Sequence, residues 1–304
     1  MYWIALACLP IHLLAWYRAR PLVKDTSLTS AWNWAAVALL VWVLSVVLSQ
    51  HSSGVLDHLG YASAVLLLAP FIAVLGARRP GAAAWNWFVV LPMIVVLLWP
   101  AVSSIATGSI HDAFELPTPM ALGVVLVMVM GLGNYFGTRF TLPVLVTAAG
   151  PAFILRSLTQ SDVVRKPDVN SCIWVASVIL GIAAIVFLFR VTRAAVSTTT
   201  ANRVDQLNRM WIDFQERFGV VWSKRVMDRL NQFADRERWP FTFALEGIKP
   251  TSEATLISDP ALARIRWVLR RFVDPAWLNL RVDNPQAELT DSTPDTIKPP
   301  PAGG

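Results

Sequence analysis

Residues 172–189 read CIWVASVILGIAAIVFLF, a run of 18 residues without a charged side chain. About 20 apolar residues in a helix cross the roughly 30 Å of hydrocarbon in a bilayer. Lipid offers the backbone no hydrogen-bond partner, so a helix, which satisfies its own amides, is the structure expected for such a run. Arg190 and Arg193 follow directly. The stretch therefore predicts a membrane span that ends on the cytoplasmic side.

Upstream of this run, further apolar stretches predict a bundle of about seven spans. A short amino-terminal stretch, residues 2–17, contains Pro10 and His12 and is interpreted as the first span, with an interfacial helix as the alternative. The other predicted spans are residues 31–49, 59–77, 83–103, 118–136 and 141–155. The fold class predicted is an all-α membrane protein.

The charged residues of the loops predict the orientation of the bundle. Lys and Arg follow the first, third, fifth and seventh spans, whereas residues 50–58 and 106–116 contain neither. Cytoplasmic loops retain Lys and Arg, so this alternation places the amino terminus outside and the tail inside. The loop that contains Arg156, Arg165 and Lys166 is the exception. The predicted location is a bacterial cytoplasmic (inner) membrane.

Charge also divides the chain into regions. Residues 1–189 hold 9 Lys/Arg and 6 Asp/Glu, and residues 190–304 hold 17 and 14, which together give the 26 and 20 of the whole chain. We therefore predict a membrane bundle over 1–189 and a cytoplasmic, α-rich amphipathic region over 190–282. Residues 283–304 are polar and rich in proline, and are predicted to be disordered. The net charge of +6 is explained by residues beside spans, so no nucleic-acid partner is expected.

The tail contains an apolar stripe at helical spacing. Apolar residues recur every three or four positions from Val204 to Val221, Gly219 interrupts the stripe, and it continues to Phe233 in a shifted phase. Residues 241–245 partly alternate, which allows a short strand. Asp259-Pro260 predicts the start of a second helix that reaches about Val273. These helices either pack on each other as a small domain, which we favour, or lie on anionic lipid.

The motif Trp211-x-x-Phe214, Phe218-Gly219, Trp222-x-x-Arg225, followed by Asn231 and Trp239-Pro240, resembles bacterial multi-pass membrane proteins that have no assigned activity. The resemblance covers about 30 residues of the tail and implies no substrate or cofactor.

Several small or kinking residues within the spans predict how the helices pack. The pairs Gly133/Gly137 and Ser177/Gly181 are spaced for close helix approach. Two similar openings, Ala-Trp-Asn-Trp at 31–34 and at 84–87, are compatible with a duplicated hairpin or with repeated interface chemistry. Kinks are predicted at Pro70, Pro92, Pro143 and Pro151.

No Asp, Glu, Lys or Arg lies in the middle of a predicted span, and His12 is the one base there. Ion-coupled transporters and intramembrane hydrolases usually need such groups. The remaining histidines fall on the predicted outer face, where with nearby carboxylates they are chemically adequate for zinc or copper. The weak candidate ligands are His51, His58, His111, Asp112 and Glu115. Solvated loop histidines are the alternative, and no cofactor is expected.

Three functions remain open from the sequence. The first is a non-enzymatic accessory or scaffold subunit of an inner-membrane assembly. The second is a permease for a neutral or lipophilic solute, and the third is a lipid-modifying enzyme at the outer face. The bilayer is the expected environment in each case. A protein partner is expected to contact the tail at Trp211, Phe214, Phe218, Trp222, Arg264 and Arg270.

Overall fold

The computed structural model describes residues 1–50, 54–108, 114–159, 168–195, 203–251 and 257–282. Helices dominate these residues, and the architecture is compatible with the predicted all-α membrane class. The helices are α1 (Tyr2–Val23), α2 (Thr29–Leu48), α3 (Gly54–Leu66), α4 (Ala69–Leu75), α5 (Ala82–Trp85), a π-helical turn (Asn86–Val90), α6 (Leu91–Ala106), α7 (Thr118–Gly133), α8 (Thr141–Leu158), α9 (Val169–Ala195), α10 (Arg203–Glu237), α11 (Asp259–Leu269) and α12 (Pro275–Val282).

Five helical segments of the described chain are long and apolar enough to cross a membrane. A sixth apolar helix, α7, has 16 residues and ends at Gly133, before the predicted end at residue 136. Residues 2–17 form part of a longer helix, α1, which has 22 residues and packs along α9 and α2. The five segments are Thr29–Leu48, Gly54–Leu75, Ala82–Ala106, Thr141–Leu158 and Val169–Arg193.

Two of the predicted proline kinks interrupt a span. The helix of the third span ends at Leu66 and resumes at Ala69, with Pro70 in the first turn of the new helix. Proline cannot donate to the carbonyl four residues earlier, which here is Leu66, and its ring crowds that carbonyl. The π-helical turn directly precedes the helix that begins with Leu91 and Pro92. Pro143 lies in the first turn of α8 and Pro151 lies inside it.

One of the two predicted small-residue seams is confirmed. Ser177 donates its hydroxyl to the Ala5 carbonyl at 3.2 Å, and a Cβ added at Gly181 would lie 3.0 Å from the Cys8 sulfur. Helices α1 and α9 therefore pack closely at Ser177 and Gly181. By contrast, a Cβ at Gly133 or Gly137 would meet no atom within 4 Å, so no close approach occurs there.

The two tryptophan-rich openings contact each other. The indole of Trp34 donates to the side-chain oxygen of Asn86 at 2.9 Å. Trp85 donates to the Ile72 carbonyl at 3.0 Å, and its ring occupies the space that a side chain at residue 76 would need. Whether the two hairpins arose by duplication stays a prediction.

Three loops gather at one end of the bundle, where they contact the tail. The Ser27 amide donates to the Phe272 carbonyl at 2.8 Å, and the Arg79 amide donates to the Arg271 carbonyl at 2.7 Å. The Val220 amide donates to the Asn134 carbonyl at 2.7 Å. All three loops are among those that the charge pattern places on one side of the membrane.

The connections predicted for the other side meet at the opposite end. The Leu116 amide donates to the Leu158 carbonyl at 2.8 Å. The Trp174 indole donates to the Ser49 hydroxyl at 2.7 Å, between α9 and the end of α2. The loops thus form two separate groups, as an alternating series of spans requires.

The tail folds on its own apolar stripes. Trp211, Phe214 and Phe218 are fully buried along α10, and Phe272 packs edge-on against Phe214 and Phe218. This core continues into the tail-side end of the bundle, where it includes Ala77. The two stripes pack on each other, as expected for the favoured small-domain arrangement.

The secondary structure of the tail extends beyond what the sequence predicts. The possible strand is a hairpin, in which β1 (Phe241–Ala244) pairs antiparallel with β2 (Gly247–Pro250). Helix α11 is capped by Ser258 and ends at Leu269, short of the predicted Val273. A further helix, α12, begins at Pro275 and was not predicted. The predicted disordered region, residues 283–304, lies outside the described residues.

Candidate functional site

Only some of the predicted outer-face histidines are among the residues that the structure describes. Both ring nitrogens of His58 are engaged, at 2.8 Å to the Gly54 carbonyl and at 3.0 Å to the Ser104 hydroxyl. The ring also packs on Phe114, with centroids 4.7 Å apart. His58 is therefore a buried residue whose two ring nitrogens both have hydrogen-bond partners within the protein.

The remaining candidate ligands leave the metal hypothesis untested. Glu115 lines an open depression beside Trp99. His51, His111 and Asp112 lie outside the described residues. Among the residues that the structure does describe, no group of three or more His, Cys, Asp or Glu is placed to hold a metal ion.

A different site lies inside the bundle. A cavity of about 390 Å³ opens between α1, α2, α4, α8 and α9, and its lining is almost entirely apolar. This volume is within the usual range of small-molecule pockets. We call it the bundle cavity.

Small side chains and interrupted helices create this space. Alanines line the cavity from three helices, and an alanine fills far less of an inter-helix gap than the leucines and valines that dominate the spans. Pro70, at the break between α3 and α4, and Pro143 also line it. The lining alanines include Ala15, Ala19, Ala35, Ala38, Ala183 and Ala184.

Two polar side chains face the cavity from the apolar wall. His12 and Trp42 both line it, and His12 is 9 % exposed whereas Trp42 is 1 % exposed. The His12 ring approaches the backbone of Ser177, but neither ring nitrogen has a hydrogen bond of ordinary geometry. The Trp42 indole nitrogen also has no partner among the described residues. A buried polar atom without a partner costs about 1–3 kcal/mol, and these three nitrogens are buried behind the lining and do not reach the cavity surface.

The tail-side end of the cavity is formed by charged residues. Arg139, from the loop before α8, is 2.8 Å from the Glu216 carboxylate on α10. Asp213 accepts from Arg217 at 3.1 Å and from Arg281 at 2.7 Å. Three arginines and two carboxylates thus meet here, which gives a formal charge of +1 when both acids are ionised. We call these five residues the charged cluster.

Burial dominates the electrostatics of the charged cluster. It raises the pKa of Glu216 from 4.5 to about 7, although the nearby Arg139 acts in the opposite direction. Burial also lowers the pKa of Arg217, whose side chain is only 8 % exposed. The Nε atoms of Arg139 and Arg217 are buried and have no partner among the described residues. The cluster therefore holds charged side chains, with one more arginine than carboxylate, at the end of an apolar space.

The residues expected to contact a protein partner are divided between the buried core and the exposed surface of the tail. Trp211, Phe214, Phe218 and Trp222 are buried in the core of this chain, so they are not available as a contact surface. The Trp222 indole donates to the Val74 carbonyl at 3.0 Å and thereby joins the tail to the bundle. Arg264 is partly exposed and is 3.2 Å from Glu237, and Arg270 is exposed. The partner itself stays a prediction.

Sequence reasoning identified His12 and the orientation role of Arg139, but it did not identify the cavity or the charged cluster. The sequence contains only a weak signal for the charged cluster. Asp213 and Arg217 are spaced as an i,i+4 ion pair, which is ordinary on a solvated helix. Only the docking of the tail brings them to the end of the bundle.

Comparison with known proteins identifies no relative of this chain. No family model matches this chain, and neither a curated protein nor a solved structure is significantly similar to it.

Proposed function

We propose that the protein is a non-enzymatic membrane protein that binds a lipophilic anion in the bundle cavity, as a permease for such a solute would. The observation that carries the proposal is the meeting of an apolar cavity with an arginine-rich cluster at one end. A hydrocarbon chain matches the walls, and an acidic group matches the net positive charge of the arginine-rich end.

The charge balance of the cluster supports an anionic ligand. Arg139 and Arg217 both line the cavity, together with Glu216 as the one acid. Charge-assisted hydrogen bonds from arginine to an oxyanion are about twice as strong as neutral ones, and they gain further where water is excluded.

The proposed setting is a bacterial cytoplasmic membrane, crossed seven times, with the amino terminus outside and the tail inside. The described loops at the tail end carry Lys24, Arg78, Arg79 and Arg139, whereas Arg156 lies at the opposite end. Arginine and lysine are retained on the cytoplasmic side. The close packing of α1 along α9 supports counting α1 as a span.

The test uses the full chain in lipid nanodiscs and a pyrene-labelled dodecyl sulfate, with pyrene-labelled dodecanol as the uncharged control probe. Energy transfer from tryptophan to pyrene reports occupancy. We expect the sulfate to bind more tightly than the alcohol, and Arg139→Gln to weaken sulfate binding about tenfold, the effect of losing one charged hydrogen bond. Binding of the alcohol should be unchanged in this variant.

A second pair of variants tests the cavity itself. Ala35→Phe places a ring in the bundle cavity, whereas Val37→Phe, on the same helix, adds one at an exposed position. We expect Ala35→Phe to abolish binding of both probes and Val37→Phe to leave it intact. Equal binding by all variants would contradict the proposal. Flux of the bound probe in liposomes then distinguishes a permease from a binding protein.

An accessory subunit is the second candidate. Leu280 is 77 % exposed and Trp267 is 39 % exposed on the tail, and exposed apolar residues of this size can anchor a protein interface. Purification in mild detergent from the native membrane tests it, because a stoichiometric partner lost in Leu280→Asp would support it. The outer-face enzyme stays a prediction, and three of its candidate residues, His51, His111 and Asp112, lie outside the described part of the chain.

A further inference from the structure

A second anion-binding surface lies on the outside of the joint between bundle and tail. It is an open groove of about 1160 Å³ between the loop after α4 and the tail helices α10 and α11. We call it the arginine groove, defined by Arg78, Arg225, Arg270, Arg271, Trp85 and Trp267.

Four arginines of the groove have no carboxylate partner among the described residues. Arg79, at the edge, is paired with Asp274, but no ion pair involves Arg78, Arg225, Arg270 or Arg271. No acidic residue lines the groove. A smaller neighbouring depression adds Arg229 to Arg78, Arg225 and Arg271, and no acid of the described residues lines it. Like charges that line one groove repel each other, so an anion bound among them would lower that repulsion.

Aromatic rings orient two of these guanidinium groups. Arg225 lies over the ring of Trp222 at 5.1 Å, and Arg271 lies over the ring of Trp267 at 5.4 Å. Trp222 is itself fixed by its hydrogen bond to the Val74 carbonyl. A guanidinium held against an aromatic ring keeps its donors, and these suit bidentate recognition of phosphate.

The position of the groove identifies the source of the phosphate. One wall belongs to the bundle and includes Trp85 and Met130, the latter 55 % exposed. Trp87 and Phe88, which follow on the same helical segment, are 66 % and 80 % exposed. Tryptophan prefers the depth of the headgroups, and large exposed apolar residues beyond it face acyl chains. The arginines thus lie where a headgroup would be, beside a surface that acyl chains cover.

We propose that the arginine groove binds the phosphate headgroup of an anionic phospholipid from the leaflet on the tail side, with the acyl chains lying along Trp87 and Phe88. This site is separate from the bundle cavity and is independent of it. Its role is to hold the tail on the membrane surface at one defined place.

The test measures lipid selectivity of the full chain reconstituted in phosphatidylcholine liposomes. Spin-labelled phosphatidylglycerol or spin-labelled phosphatidylcholine is added at trace level, and electron paramagnetic resonance gives the motionally restricted fraction of each. We expect preferential restriction of phosphatidylglycerol. Each arginine near a lipid surface contributes about fivefold to binding of an anionic lipid, so Arg225→Gln with Arg270→Gln should reduce the preference several-fold.

The control variant removes two exposed cations elsewhere on the tail, Arg236→Gln with Lys249→Gln, and should retain the preference. Inorganic phosphate at millimolar concentration should not abolish it, because the acyl chains add to headgroup binding. Loss of the preference with phosphate would assign the groove to a free phosphate group instead. Equal restriction of both lipids by the unmodified protein would overturn the proposal. The proposal would also be overturned if the control variant lost the preference for phosphatidylglycerol as much as the groove variant does.

Discussion

Asn134, in the loop after α7, forms hydrogen bonds with the backbone of the tail helix on both sides of the bend at Gly219. The Asn134 side chain donates to the Phe218 carbonyl at 3.0 Å and accepts from the Val221 amide at 3.0 Å. Its own carbonyl accepts from the Val220 amide at 2.7 Å. Gly219 adopts φ 77° and ψ 178°, which breaks the helical ladder at this point. One buried asparagine therefore satisfies the backbone groups that the bend leaves open, and it joins the tail to the bundle.

Gly219→Ala is expected to weaken the attachment of the tail. A Cβ at this position would lie 2.2 Å from the Asn134 side-chain nitrogen, and φ is positive. The control is Gly137→Ala, where φ is also positive at 83° but no atom lies within 4 Å. A positive φ alone costs on the order of 1–2 kcal/mol, so Gly137→Ala measures strain without the clash.

Thermal unfolding in detergent, followed by circular dichroism, gives the comparison. We expect Gly137→Ala to lower the apparent midpoint by a few degrees and Gly219→Ala by clearly more, with faster proteolysis of the tail. Similar midpoints for the two variants would show that Asn134 does not pack on Gly219 as described.

The stability of the protein is expected to fall as pH rises through the range in which Glu216 ionises. The pKa of this carboxyl is about 7 in the folded protein, against an ordinary value of 4.5. Between those values an unfolded chain releases the proton while the folded protein keeps it, so the folded state is favoured at the acidic end and loses that advantage by pH 7. Arg139, Arg217, Arg281 and Asp213 are the charged groups that surround this carboxyl.

Glu216→Gln removes this titration because the amide cannot ionise. Apparent unfolding midpoints between about pH 5 and about pH 8 should decline in the unmodified protein and decline less in this variant. Glu246→Gln, at an exposed site on the hairpin, should retain the full decline. Parallel curves for Glu216→Gln and the unmodified protein would show that burial does not control this carboxyl.

The sequence predicted the five long apolar helices well because each one depends on a local property. An uncharged apolar run must be helical in lipid whatever its neighbours are, so 172–189 falls within α9 and 31–49 closely matches α2. Helix ends were less accurate, because they depend on contacts made elsewhere. Helix α7 ends at Gly133, where the chain turns to bring Asn134 to the tail.

The candidate site could not be predicted in the same way. Arg139 and Glu216 belong to separate regions of the sequence and meet only because α10 docks on the bundle. The stripe of Trp211 and Phe214 correctly indicated an amphipathic helix, but the periodicity did not specify what would cover it. The cover is the chain's own Phe272 and its neighbours, which removes these residues from the expected partner surface.

The contact between α1 and α9 predicts a position-specific effect of added volume. Gly181→Val would place its Cβ 3.0 Å from the Cys8 sulfur, and overpacking of this kind typically costs about 1–3 kcal/mol. We expect a midpoint lower by about 5 °C, given roughly 2–4 °C per kcal/mol for a protein of this size. Gly133→Val, with no atom within 4 Å of its Cβ, is the control and should change the midpoint little. An unaffected Gly181→Val would place α1 away from α9.

The proposed orientation predicts which ends of the bundle react with a membrane-impermeant maleimide. Cysteine is placed at Thr107, which is exposed at the end of α6, and separately at Glu246, which is exposed on the tail hairpin. These positions lie at opposite ends of the bundle. The native Cys172 is buried and Cys8 packs on α9, so the unmodified protein provides the background signal. In intact spheroplasts we expect the Thr107→Cys protein to be labelled and the Glu246→Cys protein to be protected until the membrane is permeabilised.

The reverse pattern would invert the topology and place the arginine groove and the charged cluster on the outer side, where the retention of arginine would need another explanation. Labelling of both positions in sealed spheroplasts would mean that the two groups of loops are not on opposite sides of a membrane, which would remove the basis for treating α1 to α9 as an alternating series of spans.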